Sequence, residues 1–531
     1  MYNYLQSFRS PEQSNYLRGL MNKMSASASK RKRKELDEQG LSPKTLAEKQ
    51  AKEKKSKTMK NVLIVALVIL VAAAAVFGVV SLVNAPSYDT SAAVATVGSE
   101  KVTVPVYDCF YNLNASNFYN NYSFLIQTGT PLSKQNSFFG NGTMEDYLIE
   151  STNTSLQEIL NVVAKARENN FQLSDEQKTS IKEALAGVET EAKTYGFTSA
   201  DKYLRARFGE GCTLSSYEDY LNLYMLFSGY AAKLSEDFQP SAEDLKAAYE
   251  KDPGAYDLVN FTYIAVNAES SPVESEEKPE GDNTDATAST AESTPKATMY
   301  TDEAKEAAKK QADAYIEEMP PTATTVSYNK STTSSYLSEE IGTWLFDEAR
   351  KEGDAKVFAR NEENTAYFTV RFNSRDNNDY HRVNANIISI AKDTAEVKEG
   401  EQSAQQKRDA LLEAVKEGMS DEDFAEAVTK LSYSSSTTSV TKSYTVEEIR
   451  DYLFDESRKA GDLKSFETDT AYYVARYVST EEDSYRDTLV KNALWSEFYS
   501  GIAEANKIEV NEDLLKHANT DLTFNANTSE S

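Results

Sequence analysis

Side chains able to do chemistry are scarce in this sequence, and their spacing excludes more than it offers. The 531 residues contain two His, His381 and His517, and two Cys, Cys109 and Cys212. A His/Cys metal site needs three or four such ligands around one ion, so none can be assembled from this chain. Two distant histidines supply no Ser/His/Asp arrangement, and neither a Gly-rich phosphate loop nor a His-Glu-x-x-His motif occurs. Carboxylates are abundant, 84 Asp and Glu in all. No loop has the EF-hand spacing, so a cation site made of carboxylates alone stays open without a motif to support it. In so acidic a chain, most carboxylate pairs belong to solvated surface. The two Cys fit either one disulfide or two small core residues. Asn-x-Ser/Thr triplets, such as those at Asn114, Asn141 and Asn153, are what an Asn- and Ser-rich surface produces by chance. No cofactor and no metal are expected.

The elements that must position any site begin with a hydrophobic run. Val62 to Val83 is uncharged throughout, and as a helix it measures about 33 Å at 1.5 Å per residue, enough for a hydrocarbon core of about 30 Å. Residues 1–60 carry fifteen Lys and Arg against six Asp and Glu, whereas the whole chain has a net charge of −27. Positive charge stays cytoplasmic. The expectation is a basic, disordered cytoplasmic segment (1–60), a single transmembrane helix (61–83) and an extracytoplasmic remainder, in a bacterial cell membrane. The acidity of that remainder excludes nucleic acid as a partner, because phosphates would be repelled.

Residues 93–255 read as a helical module opened by a small hairpin. Ala95 to Val104 gives two β-branched strands around a Gly-containing turn, and Pro105 suits the first turn of a helix. Tyr107, Phe110, Tyr111, Phe118 and Tyr122 then recur at helical spacing, a stripe that reads as core. Further helices are expected at Met144–Glu168, after the capping box Ser174/Gln177, after Thr198/Asp201, over Ser215–Asp237, and after Ser241/Asp244.

From Tyr256 an internal repeat appears. Tyr256–Ile264 lines up with Tyr380–Ile388, each a strand. Ser327-Tyr328 and Ser331–Ser334 match Ser432-Tyr433 and Ser436–Ser439. Trp344 to Asp354 matches Tyr452 to Asp462, and Ala366–Phe372 matches Ala471–Tyr477 as a closing strand. Each copy is a compact α+β unit, 256–379 and 380–484. The first carries a Glu/Ser/Thr/Pro tract at 268–298 that reads as a disordered insertion. A helix over 485–510 is expected to complete the helical module, and 518–531 to be a frayed tail.

This layout resembles the SurA/PrsA-like family of foldases, in which a helical chaperone module carries inserted parvulin-type prolyl isomerase domains. Val97-Gly98-Ser99-Glu100-Lys101-Val102-Thr103 is similar to that family's Val-Asn-Gly-Glu-x-Ile-Thr opening, and the likeness spans roughly 93–510. The resemblance implies an α+β chain with a SurA N-terminal-like module and two parvulin-like repeats. It also implies where pocket histidines would stand. The first position falls on Tyr263 in one copy and Asn386 in the other, and the second on Phe368 and Tyr473, so both pockets lack imidazole. The expected function is a membrane-anchored chaperone that binds unfolded, newly translocated polypeptides. The alternatives are an active peptidyl-prolyl isomerase and a structural docking protein of envelope assembly.

Overall fold

A computed structural model describes residues 86–272, 298–395, 397 and 400–524. Among them the chain is α+β, with fourteen α-helices, three antiparallel sheets and a two-stranded ribbon. They fall into two compact units. One contains the described residues up to Glu236 together with Ser500 onward; the other is the continuous stretch Asp237–Tyr499.

The membrane expectation is corrected. Among the described residues no helix is long and apolar enough to cross a membrane. The two longest, 25 and 24 residues, have the length, but each carries charged side chains along its exposed face and buries the other face in protein. Val62 to Val83 and the basic segment 1–60 lie outside the described residues. Among the described residues the fold class stands as α+β without a transmembrane helix, and the single-pass, cell-membrane placement that rested on one falls with it.

The first unit starts with β1 (Ala93–Val97) and β2 (Glu100–Thr103), an antiparallel hairpin. Gly98 makes the turn with φ +57°, a conformation that costs glycine nothing. Pro105 sits in the first turn of α1 (Val104–Tyr122). The capping box at α2 (Met144–Glu168) is reciprocal: Asp146 N–H donates to Thr143 Oγ1, and Thr143 N–H to Asp146 Oδ2. Ser174 and Gln177 do the same for α3 (Asp175–Thr194). The cap of α4 (Ala200–Phe208) is Ser199, one residue beyond the expected Thr198. With α5 (Leu214–Asp237) these helices bury Tyr107, Phe110, Tyr111, Phe118, Tyr217 and Tyr220 in one core.

Asp108 is also wholly inside that core. Its Oδ1 accepts the Asn519 N–H at 2.8 Å, while Oδ2 has no protein partner. Burial pushes the carboxyl well above the usual carboxylate range, against the pull of the Asn519 N–H. The folded state thus binds a proton that the unfolded chain has released above about pH 3.9, so this group's contribution favours folding at low pH and is lost as pH rises through the folded pKa. We expect Asp108→Asn to flatten the decline in Tm of this unit above pH 4, measured by calorimetry from pH 4 to 8. An unchanged pH profile would show Asp108 to be irrelevant to it.

The second unit opens with α6 (Ala242–Lys251), again behind a reciprocal box, Ser241/Asp244. The first repeat follows as β3 (Leu258–Asn267), a ribbon of β4 (Ser271–Pro272) with β5 (Thr298–Met299), α7 (Asp302–Glu317), β6 (Thr324–Tyr328), α8 (Lys330–Tyr336), α9 (Glu339–Leu345), β7 (Ala355–Ala359) and β8 (Ala366–Asp376). Most of the 268–298 tract lies outside the described residues. The second repeat is β9 (His381–Ala391), α10 (Ala404–Ala414), α11 (Asp421–Lys430), β10 (Thr437–Val440), α12 (Glu447–Leu453), β11 (Leu463–Glu467) and β12 (Ala471–Ser484). Sheet orders are β6-β3-β8-β7 and β10-β9-β12-β11, the same antiparallel topology twice. In each, one face packs on the long helix that follows the first strand, and the other on the short helix before the third strand.

Register redraws part of the expected alignment. Val259 pairs with Tyr328, and its equivalent Val383 pairs with Val440. Tyr328 therefore corresponds to Val440 and not to Tyr433. Ser331–Ser334 lies in helix α8, whereas Ser436–Ser439 leads into and forms strand β10. Short Ser/Thr runs serve as helix starts and as strands alike, so their match carried no structural information.

The chain leaves this unit through α13 (Tyr485–Ala503) and re-enters the first. There β13 (Glu509–Val510) pairs with β1, followed by α14 (Glu512–Leu515). Residues 518–524 are not frayed. Leu522 and Phe524 are buried; Leu132 N–H donates to Leu522 O at 3.0 Å and Gly129 N–H to Phe524 O at 2.7 Å. Two apolar side chains and two backbone bonds are enough to order this segment.

Candidate functional site

The sheet positions singled out by resemblance come together only in part. In the first repeat Tyr263 and Phe368 share the face covered by α9, with ring centroids 6.0 Å apart and edge to face. Arg360 lies over Phe368 at 5.2 Å. In the second repeat Tyr473 sits on the corresponding face, against α12, with Ile387. Asn386 does not. The pairing of β8 with β3 and of β12 with β9 makes Ile387 the equivalent of Tyr263, and Asn386 that of Thr262. One residue along a strand is the other side of the sheet, so Asn386 and Tyr473 belong to different faces and form no common pocket.

Asn386 has a structural task there. It is 4% exposed and donates to Ser435 O, Ser436 O and Thr437 Oγ1 at 3.2–3.3 Å. Its Oδ1 accepts from Arg476 at 3.1 Å, and Arg476 also donates to Met419 O and pairs with Asp421, both at 2.8 Å. The first repeat repeats the device at Arg371, which donates to Ile316 O at the end of α7. Each arginine ties its central strand to a helix terminus. The Asn386 amide is therefore committed to its own chain, leaving no donor to polarise a prolyl amide.

The remaining reactive groups are dispersed. His381 is exposed at the start of β9, and His517 stacks on Tyr88 at 4.9 Å in the first unit. Cys109 and Cys212 are both free and buried in the first unit. Burial, and then contact with Cys109, pushes the Cys212 thiol well up, so at neutral pH it is not the thiolate that reacts. Among the described residues no group of three or more His, Cys, Asp or Glu is placed to hold a metal ion.

What the first unit does present is a surface of aromatic rings, and sequence reasoning missed most of it. The α1 stripe is core as far as Phe118 and then emerges. Phe118 contacts Tyr122, Phe139 and Tyr147 at 5.2–6.0 Å, and Phe139 stacks on Tyr147 at 4.7 Å. Tyr122 meets Phe124 at 6.4 Å. Phe124, Phe138, Phe139 and Tyr122 are 80, 67, 51 and 39% exposed, a cluster where isolated apolar residues would be unremarkable.

The backbone beneath this cluster is held firmly. Gln135 is buried, accepts the Gln127 N–H at 2.7 Å and donates to Thr130 O at 2.7 Å. Met144 N–H donates to Gln135 O, Ser133 N–H to Asp521, and Phe139 N–H to Ser137 Oγ. The rings are thus displayed from a fixed loop. A signal for it existed in the sequence: from Cys109 to Ser133 there is no charged residue, and Lys134 is the sole one between Asp108 and Glu145. Up to Phe118 the core accounts for the lack of charge; in a chain that is 27% charged, its continuation over the exposed positions beyond marks a surface kept free of charge.

Such a surface suits extended apolar segments of other chains. Aromatic rings supply large contact area at low conformational cost, and a prearranged loop limits the entropy lost on binding. In comparisons with known proteins, no family model matches this chain, and no curated protein sequence matches it.

Proposed function

We propose that this protein is a holdase-type chaperone that binds unfolded polypeptides on the aromatic surface of its first unit. The observation that carries this reading is the set of exposed rings at the end of α1 and on the hydrogen-bonded loop after it: Tyr122, Phe124 and Phe139, linked through Phe118, with Phe138 next to Phe139 in the chain. The resemblance to SurA/PrsA-like foldases supports it, as does the duplicated α+β repeat. Binding of this kind needs apolar area and no catalytic group, which agrees with the lack of imidazole at Tyr263, Phe368, Asn386 and Tyr473.

Prolyl isomerisation is the less favoured activity. Uncatalysed exchange at X-Pro takes tens to hundreds of seconds, and acceleration requires a donor held at the twisting amide. Here Tyr263 and Phe368 form a ring pair, while Asn386 is bonded within its own repeat. We expect the purified chain to leave the exchange rate of a proline tetrapeptide unchanged, within about twofold, in a coupled-protease assay. It should suppress aggregation of a chemically unfolded test protein at near-stoichiometric ratio. Failure to suppress aggregation would sink the holdase reading and favour a dedicated docking partner. Isomerase activity abolished by Tyr263→Phe would restore the enzyme.

A further inference from the structure

The two repeats differ at one equivalent place, and the difference points to a ligand. In the second repeat Tyr472, next to the start of β12, carries two cations of its own chain. Arg408 lies over its ring at 4.6 Å and Lys392 at 5.0 Å. Both are tied to Glu467, the cross-strand partner of Tyr472, at 4.0 and 2.7 Å. In the first repeat Tyr367 stands where Tyr472 does, and Ala359 is its cross-strand partner. Ala268 replaces Lys392; the backbone N–H of each donates to the matching carbonyl, Thr365 O or Thr470 O, at 2.8 Å.

Without those long side chains the first repeat is left with an open groove of about 480 Å³ between α7 and β7. Ile316, Ala355, Val357 and Tyr367 form its apolar lining, with Lys309 and Asp313 on the helix side. Those two are paired to each other at 2.7 Å, and no lysine or arginine among the described residues lies over the Tyr367 ring. One wall is a sheet edge: β7 pairs with β8 and with no other described strand. Lys356, the one charge on β7, also borders the groove, but its ammonium lies over Phe358 and pairs with Glu340.

We propose that this groove binds an extended polypeptide segment carrying an arginine, added along β7 as a fifth strand with the guanidinium over Tyr367. Strand addition supplies backbone hydrogen bonds without demanding a sequence. The arginine takes the place that Arg408 fills in the other repeat, a cation–π contact over the ring face. The net charge of −27 attracts cationic segments. The peptide's origin in an unfolded client rests on the holdase reading; the groove itself does not.

The test uses the full chain and two fluorescein-labelled decapeptides of alternating Thr and Val, with either Arg or Glu at the centre, read by fluorescence anisotropy at low salt. The Arg peptide should bind at least about tenfold more tightly than the Glu peptide. Ala359 is exposed at the end of β7, so its substitution is tolerated. Ala359→Lys should weaken the Arg peptide about tenfold, and Ala359→Glu should tighten it about threefold. Bound Arg peptide should slow hydrogen exchange at the backbone amides of 355–359. Equal binding of the two peptides, indifference to both Ala359 variants, or unprotected β7 amides would each overturn the proposal. So would dimerisation of the chain through this edge, seen by light scattering and abolished by Ala359→Lys. A chain with Phe124, Phe138 and Phe139 changed to Ser should still bind the Arg peptide. If the wild type binds it yet does not suppress aggregation, the holdase reading fails and the groove stands.

Discussion

Replacing Phe124, Phe138 and Phe139 together by Ser should abolish most aggregation suppression, by about tenfold in the concentration required, while moving Tm by no more than a few degrees. The two halves of that expectation have separate causes. These rings are 80, 67 and 51% exposed, so folding gains little from them, and surface substitutions of this kind stay within about 0.5 kcal/mol each. For a bound apolar segment they are the contact area, at about 25 cal/mol per Å² removed from water. Light scattering of an unfolded test protein gives the first half and calorimetry the second. A triple variant that still suppresses aggregation would move the client site elsewhere. One that unfolds would mean the rings are core after all, and Phe138→Ser alone, a change outside the ring contacts of Phe118, would then decide between the two.

Arg476→Ala should be the most damaging single change in the second repeat, costing about 3 kcal/mol or more. Arg476 is 2% exposed and serves three partners: Asn386 Oδ1, Met419 O and the Asp421 carboxylate. Removing it leaves the buried Asn386 Oδ1 and the part-buried Met419 carbonyl without a donor, a loss larger than the net worth of the bonds themselves, while the exposed Asp421 carboxylate returns to water. Arg371→Ala should cost less, because Arg371 is half-buried and holds carbonyls at the end of α7 alone. Urea denaturation followed by the tyrosine-rich near-UV signal would rank them. Equal effects would show that burial, and not the network, is immaterial here.

The sequence disclosed local signals well. Capping boxes such as Ser174/Gln177 and Ser241/Asp244 are closed within four residues, and nothing distant can override them. The repeat was legible because Val259/Val383 and Ala366/Ala471 keep their alternation on a sheet buried on both faces. Single strand positions were harder. Treating Asn386 as the equivalent of Tyr263 is a slip of one residue against the alignment of Tyr256–Ile264 with Tyr380–Ile388, small in a list of letters and decisive in a pleated strand. The tail was misjudged for the opposite reason: two apolar residues in a polar run look weak until Gly129 and Leu132 supply their backbone partners. The aromatic surface was missed because its rings come from a stripe and a Phe-Phe pair twenty residues apart, joined only when the loop folds back onto α1.

The return of residues 500–524 into the first unit has a temporal side. On a ribosome, the helices before Asp237 emerge early, but β13, which extends their sheet, and Phe524, which fills their core, are made only after the whole of 237–499. The interposed 237–499 stretch is continuous and can settle as soon as it is complete. Closing the first unit across some 260 intervening residues costs loop entropy that grows only with the logarithm of length, so the delay is one of synthesis more than of thermodynamics. Until the codons for residues 509–524 are read, the strand β1 keeps an open edge and the Tyr119 face awaits its stacking partner. A nascent chain of this protein is for that interval a client in its own right, and a premature stop before Glu509 should yield a finished second unit attached to an unfinished first.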